Sequence, residues 1–184
     1  MRPFDRVRLD TARLQLRPLI AGDAAALVDI FGDPQVMRYW STPPWTSLAQ
    51  AEALIAADRT ELPAGQHLRL ALLPRDGERV IGTCSLFNFN AGCRRAEIGY
   101  ALARAAWGRG LMHEALVALV GWAFDDLQLH RLEADIDPRN TASAASLVRL
   151  GFAKEGHLRE CWIVDGEVSD SVLFGLLRSD WCAP

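Results

Sequence analysis

Cysteine is scarce: the 184-residue chain has four, at Cys84, Cys93, Cys161 and Cys182. None forms a CxxC pair, and no HxxxH or HExxH accompanies them, so neither a zinc-ligand spacing nor a disulfide framework is present and no metal is expected. Positive charge is not in excess. The formal net charge is −3, and the arginines are scattered in short clusters such as Arg94–Arg95. These read as solvated surface, and no direct nucleic-acid binding is expected. No run of about 18 apolar residues occurs, so no membrane-spanning helix is expected. The first residues, "MRPFDRVRLD", have no apolar stretch of the secretory kind, and the expected setting is the cytoplasm. Two nucleotide fingerprints are also missing. A Walker A loop would need GK[ST], and a dinucleotide turn of the GxGxxG kind would need glycine where the chain has His113.

What is present is ordinary globular composition, half apolar and 23% charged. The length suits a single domain, expected over residues 1–184, with a sizeable core. "RLQLRPL" (Arg13–Leu19) alternates as a half-buried strand does. Ala21–Phe31 reads as a helix stopped by Gly32–Pro34, and Tyr39–Trp45 as a proline-broken aromatic loop. Thr46 or Ser47 caps a second helix to about Leu62, ended by Pro63–Gly65. His67–Leu73, Arg79–Phe89 and Arg94–Ala103 read as strands separated by hairpin chemistry. Met112, Ala115, Leu116, Leu119, Val120 and Ala123 form a helical stripe. A strand at His130–Ile136, a helix at about Thr141–Leu150 and a strand pair near Glu160–Val164 and Ser169–Leu177 complete the chain. This order predicts an α+β fold with a mixed, mostly antiparallel central sheet flanked by helices.

The segment "AAWGRGLMHEAL" (Ala105–Leu116) puts two glycines at the entrance of a helix. Glycine there serves a tight turn, close packing on the sheet, or an approach of backbone N–H groups to a phosphate at the helix N-terminus. The local sequence leaves these open.

A second segment, "NTASAASLVRLGF" (Asn140–Phe152), follows the strand "HRLEADID". Together with "AEIGYALA", "WGRGLMHEAL" and the tail "EGHLRECWIVDGEVSDSVLFGLLRSDW", it resembles the GNAT superfamily of acyl-CoA-dependent N-acyltransferases over nearly the whole chain. The tail and the start "LDTARLQLRPL" are most like the branch containing ribosomal-protein N-terminal acetyltransferases. The resemblance implies acetyl-CoA as cosubstrate. Its pyrophosphate would lie on the turn formed by Trp107, Gly108, Arg109, Gly110, Met112 and His113. The family pattern Q/R-x-x-G-x-G/A maps to Trp107–Met112, with Trp107 in place of the polar first residue and Met112 in place of the small last one.

Amide formation needs a neutral amine. At pH 7 this costs a lysine-like amine roughly 4.6 kcal/mol and a chain-terminal amine about 1 pK unit, so a general base helps. Glu97, on the strand before the turn, stands where the superfamily often carries a carboxylate base; Glu160 in "LRECW" is the rival. A strand-surface carboxylate paired with Arg94 or Arg95 is the plain alternative for Glu97. Asn140 and Ser143 are ordinary helix-cap residues. The resemblance adds a pantetheine contact for Asn140 and a thioester contact or proton for Ser143. Similar proteins often have a tyrosine acid where this chain has Leu147. Backbone N–H groups near Tyr100–Leu102 would meet the carbonyl oxygen, and Tyr39, Trp40 and Trp45 would line the acceptor site or pack in the core. His113, His130 and His157 have no metal-like spacing. The expected reaction is direct acetyl transfer to a primary amine of a protein N-terminus or a small molecule. The alternative is a catalytically weak acyl-CoA sensor. Either a monomer or a homodimer suits the chain.

Overall fold

The computed structural model describes residues 2–182; Met1, Ala183 and Pro184, at the ends of the expected domain, lie outside them. The elements are β1 (Leu9–Asp10), β2 (Leu14–Pro18), α1 (Ala24–Phe31), α2 (Pro34–Met37), α3 (Leu48–Ala64), β3 (Leu68–Pro74), β4 (Gly82–Asn90), β5 (Arg95–Leu102), α4 (Leu111–Asp125), β6 (Arg131–Ile136), α5 (Thr141–Arg149), β7 (Ala153–Val164) and β8 (Glu167–Leu177). The strands form one sheet in the order β1-β2-β3-β4-β5-β6-β8-β7. Every neighbouring pair is antiparallel except β5 and β6.

Strand alternation sorts the side chains between two cores. Leu68, Leu70, Leu72, Cys84, Leu86, Ala96 and Ile98 pack against α4 and α5. Ala71, Leu73 and Ala101 pack on the other side against α1 and α3. The buried stripe of α4 begins at Leu111, one position before the expected Met112, which is only half-buried at the core's edge.

Several boundaries differ from the sequence reading. Pro34 does not merely stop α1; it starts α2, where its fixed φ and missing N–H suit the first helical position. Asp33 caps that turn by accepting from the Gln35 N–H at 2.8 Å. Pro63 lies within α3, which ends at Gly65, φ +68°. β7 begins at Ala153, well before Glu160, and its residues are almost all exposed. It therefore carries no polar–apolar alternation for a reader to follow.

The feature that makes the site is a divergence. β5 and β6 pair only at Arg95↔Arg131, Ala96↔Leu132 and Glu97↔Glu133. Beyond Glu97, β5 stays with β4, and β6 stays with β8. Next to the branch point, β4 bulges between Phe87 and Asn90, with Asn88 at φ +50°. A bulge adds local twist and re-aims a strand.

Candidate active site

The glycine turn is a matter of backbone shape. Gly108 and Gly110 have φ +72° and +73°, a region that a Cβ disfavours. A Cβ on Gly108 would meet nothing within 4 Å, and one on Gly110 would meet only Arg13 Nη2 at 3.6 Å. Close packing on the sheet is therefore not what requires the glycines. Trp107 closes the turn by donating its indole N–H to the Leu102 carbonyl at 2.7 Å. Gly110 is the N-cap of the 15-residue α4, and its carbonyl accepts the first helical bond, from Glu114, at 3.1 Å. The preceding N–H groups, including those of Met112 and His113, have no helical acceptor and sit at the positive end of the helix. His113 Nδ1 is buried there with no partner. Burial, then the charge of Arg149, holds its imidazole below the usual histidine range. Arg109 also borders a second cavity, of about 450 Å³, together with Arg13 and Arg75.

Where β5 and β6 part, a cleft of about 880 Å³ opens through the sheet. From the α4–α5 side it receives Tyr100, Asn140 and Ser143; from the α1–α3 side it receives Glu97, Gly99, Ser85 and Arg69. The Tyr100 hydroxyl and Ser143 Oγ lie 2.7 Å apart. Burial pushes the Tyr100 phenol up to about 12, against a smaller downward pull from Ser143. Asn140 caps α5, its Oδ1 accepting from the Ser143 N–H at 3.1 Å. Leu147 is fully buried, so its position does not face the cleft.

Glu97 is half-buried in the cleft wall, between Phe87 of β4 and Glu133 of β6. Among the described residues Arg95 pairs with Glu133, and no ion pair engages Glu97. The rival Glu160 is elsewhere. It is exposed on a bulge of β7, φ +52°, and its N–H donates to Asp170 Oδ1 at 2.8 Å; it is not part of the cleft wall. The bulge, invisible in "LRECW", turns the strand at that point. Tyr39, Trp40 and Trp45 do line the cleft. Trp40 and Trp45 also pack on Phe31, with ring centroids at 5.5 and 4.7 Å, so the cleft and core readings of these residues hold together. Tyr39 lies between the guanidinium groups of Arg38 and Arg139.

Three features escaped the sequence reading. The Tyr100 phenol faces the cleft, although its strand position shares a face with the core-packed Ile98 and Leu102. Asp135, exposed in the cleft wall, accepts a hydrogen bond from the buried Ser171 hydroxyl. On the α1–α3 side of the cleft, Arg69 pairs with Asp58 of α3 and reaches His67 Nε2 at 3.0 Å, while His67 stacks on Phe87. Burial pushes Asp58 up to about 6 despite Arg69. Burial, then Arg69, brings His67 down to about 4.

This split sheet, with a free helix N-terminus beside it, is accompanied by a sequence match. Residues 13–153 fit the profile of a family described as an acetyltransferase (GNAT) domain. The chain belongs to the GNAT acetyltransferases. The acetyltransferase is 36% identical to the uncharacterized N-acetyltransferase p20 of Bacillus licheniformis over 173 residues, 94% of this chain and 97% of the relative. It is 29% identical to the [ribosomal protein uS5]-alanine N-acetyltransferase of Escherichia coli, over 96% of this chain and 93% of that one. Its fold superposes with TM-score 0.84 on Mycobacterium smegmatis RimJ, solved with CoA-disulfide, at 29% identity over 96% and 90% of the two chains. The mixed, mostly antiparallel sheet expected from the sequence is the one observed.

Proposed function

We propose that this acetyltransferase moves an acetyl group from acetyl-CoA to the α-amine of a protein N-terminus, with Glu97 as general base. The carrying observation is that the two sides of the split present different chemistry: Glu97 on one, and the Tyr100–Ser143 pair on the other. The residues fit the coenzyme. Two unpacked glycines, the unpaired N–H groups of α4 and the orphaned His113 Nδ1 suit a phosphate-bearing ligand. Asn140 borders the adjoining cleft and suits the pantetheine arm. Bound acetyl-CoA supplies the thioester carbonyl and a thiolate leaving group.

Glu97 takes the ammonium proton from the acceptor and passes it to solvent, so the amine attacks in its neutral form; the second nitrogen proton, made acidic in the tetrahedral adduct, goes to the Glu97 carboxylate as the carbon–sulfur bond breaks. The free edge of β5 beyond Glu97 offers N–H groups to the carbonyl oxygen. On the thiolate side, magnitudes decide the role of Tyr100. A phenol at about 12 transfers its proton to a thiolate of ordinary basicity only at a cost of roughly 5 kcal/mol. The Tyr100–Ser143 pair therefore stabilises the departing sulfur through a hydrogen bond, and the thiolate takes its proton from solvent.

A protein N-terminus is favoured as acceptor by the resemblance to the uS5-alanine enzyme and by the smaller deprotonation demand of an α-amine. The test is thiol release from acetyl-CoA with an alanine-starting peptide, a polyamine and a lysine side-chain peptide. Preference for the first supports the proposal. Preference for either of the others moves the acceptor class, and coenzyme binding without turnover on any amine identifies a sensor.

A further inference from the structure

Arg13 lies in the turn between β1 and β2, far in sequence from α4. Its Nε donates to Glu114 Oε2 at 2.6 Å, and its Nη1 donates to the Arg109 carbonyl at 2.9 Å. Glu114 Oε1 accepts twice more, from the Arg13 N–H at 2.7 Å and the Thr11 hydroxyl at 2.6 Å. One carboxylate in the first turn of α4 thus anchors a distant hairpin turn. The guanidinium of that hairpin then reaches back to the glycine turn just ahead of the same helix.

The tether matters because Trp107 and the Gly110 carbonyl hold the two ends of the turn, while between them the Arg109 carbonyl accepts, among the described residues, only from Arg13. A Cβ on Gly108 would meet nothing within 4 Å, and the only atom near a Cβ on Gly110 belongs to Arg13. Two adjacent glycine-bearing peptides without packing partners are free to rotate. In a trans peptide the carbonyl and the following N–H point in opposite directions. Holding the Arg109 carbonyl on the β1–β2 side therefore turns the Gly110 N–H to the other side of the turn, and that N–H donates to no acceptor among the described residues.

We infer that Arg13, anchored by Glu114, is a positioning residue for the coenzyme pyrophosphate, setting the peptide plane whose N–H receives it. The inference rests on the coenzyme site proposed above. It also accounts for a carboxylate so close to an anion site. Partial burial alone would push Glu114 up, but the Thr11 hydroxyl and the Arg13 amide and guanidinium outweigh it and hold the carboxyl below its usual range. Glu114 is thus ionised, and Arg13 covers its charge.

Calorimetric titration of the folded full chain tests this, with circular dichroism as the check on folding. Arg13→Ala is expected to weaken CoA binding about tenfold, about 1.4 kcal/mol. The KM for acetyl-CoA should rise in parallel, with less than a twofold change in kcat. Acetyl-pantetheine, which lacks the pyrophosphate, should react with the variant and the natural chain alike. Glu114→Gln keeps an acceptor for Thr11 and the Arg13 N–H but loses the one for Arg13 Nε; a several-fold loss is expected, and the double variant should be no worse than Arg13→Ala. Arg13→Lys restores charge without the two-way fork, so it should remain weak; full recovery would make the role one of charge and overturn the inference. Equal losses for CoA and acetyl-pantetheine would overturn it too. So would an unchanged Kd in Arg13→Ala alongside a weakened Gly110→Val, with the coenzyme site left standing. Normal CoA binding in Gly110→Val as well would remove the site itself.

Discussion

At the N-terminus of α4 the chain offers mainly backbone: two glycines at positive φ, N–H groups without helical acceptors and the Arg109 carbonyl held by Arg13. On the α1–α3 side of the cleft it offers side chains gathered from distant segments. Asp58 comes from α3, Arg69 from β3, Phe87 from β4, Glu97 from β5, and the tryptophans from an irregular loop. The first kind of surface suits a ligand that never changes, because every residue except proline supplies the same backbone N–H. The second suits a partner that differs between relatives, since each wall residue can change independently. Substitutions at the two ends should therefore fail in different ways.

The largest effect is expected at Glu97. Glu97→Gln keeps shape and removes basicity, and loss of a general base typically costs 10²–10⁴-fold in rate. The loss should fall on kcat, leave CoA affinity intact, and shrink as pH rises and the amine arrives neutral. A pH–rate series checks it; near-normal turnover at pH 7 would move the base elsewhere, with Asp135 across the split next in line. Gly110→Val should do the opposite, weakening CoA about 10–100-fold with a further stability loss of about 1–2 kcal/mol from a branched residue at positive φ. Titration and a urea midpoint separate the two contributions. Tyr100→Phe removes one hydrogen bond and is expected to lower kcat by about tenfold at most, with unchanged acceptor KM. A 10³-fold loss would instead make Tyr100 a true proton donor.

The smallest effect is on stability. His67 titrates near 4 in the folded chain and near its usual value when unfolded, so it lowers stability as pH falls from about 6.5 towards 4. Asp58, raised to about 6, favours the folded state in acid, and that contribution is lost as pH rises through 6. Between pH 4 and 6 the two slopes oppose each other. His67→Gln, which can still accept from Arg69, should leave only the Asp58 slope and gain about 1 kcal/mol relative to the natural chain at pH 5. Urea midpoints at pH 5 and 7 measure it; an identical difference at both would detach His67 from the effect.

The same contrast explains what could be read from the sequence. Glycine meets a positive φ most cheaply, so Gly108 and Gly110 stand out, whereas the positive φ of Asn88 and Glu160 leaves no such mark. The cap at Asn140 and the alternation of β3–β5 are equally local. The α1–α3 side of the cleft is not local. Arg69 looks like any polar residue of a half-buried strand until α3 places Asp58 against it. Tyr100 occupies a core-facing position by alternation, and only the divergence of β6 opens space in front of its hydroxyl. Likeness to similar proteins puts Glu160 near the cleft, and the bulge that carries it in an exposed strand leaves no mark in polarity. Pro34 signals both the end of one helix and the start of another, and only the Asp33 cap decides between them.

The three-pair joint between β5 and β6 gives the molecule a directional softness. The apolar cluster under α4 and α5 spans the joint, with Leu132, Phe174 and Leu176 packed beside Ala96 and Ile98. The cluster under α1 and α3 includes no residue of β6, β7 or β8 among those described. The sheet is therefore bound along one face and unbound along the other, as a book is at its spine. Thermal opening that spreads the α1–α3 face breaks no apolar packing across the joint, whereas opening in the other sense must pull the larger core apart. An opening in the first sense would widen the α1–α3 side of the cleft and leave the α4–α5 side in place.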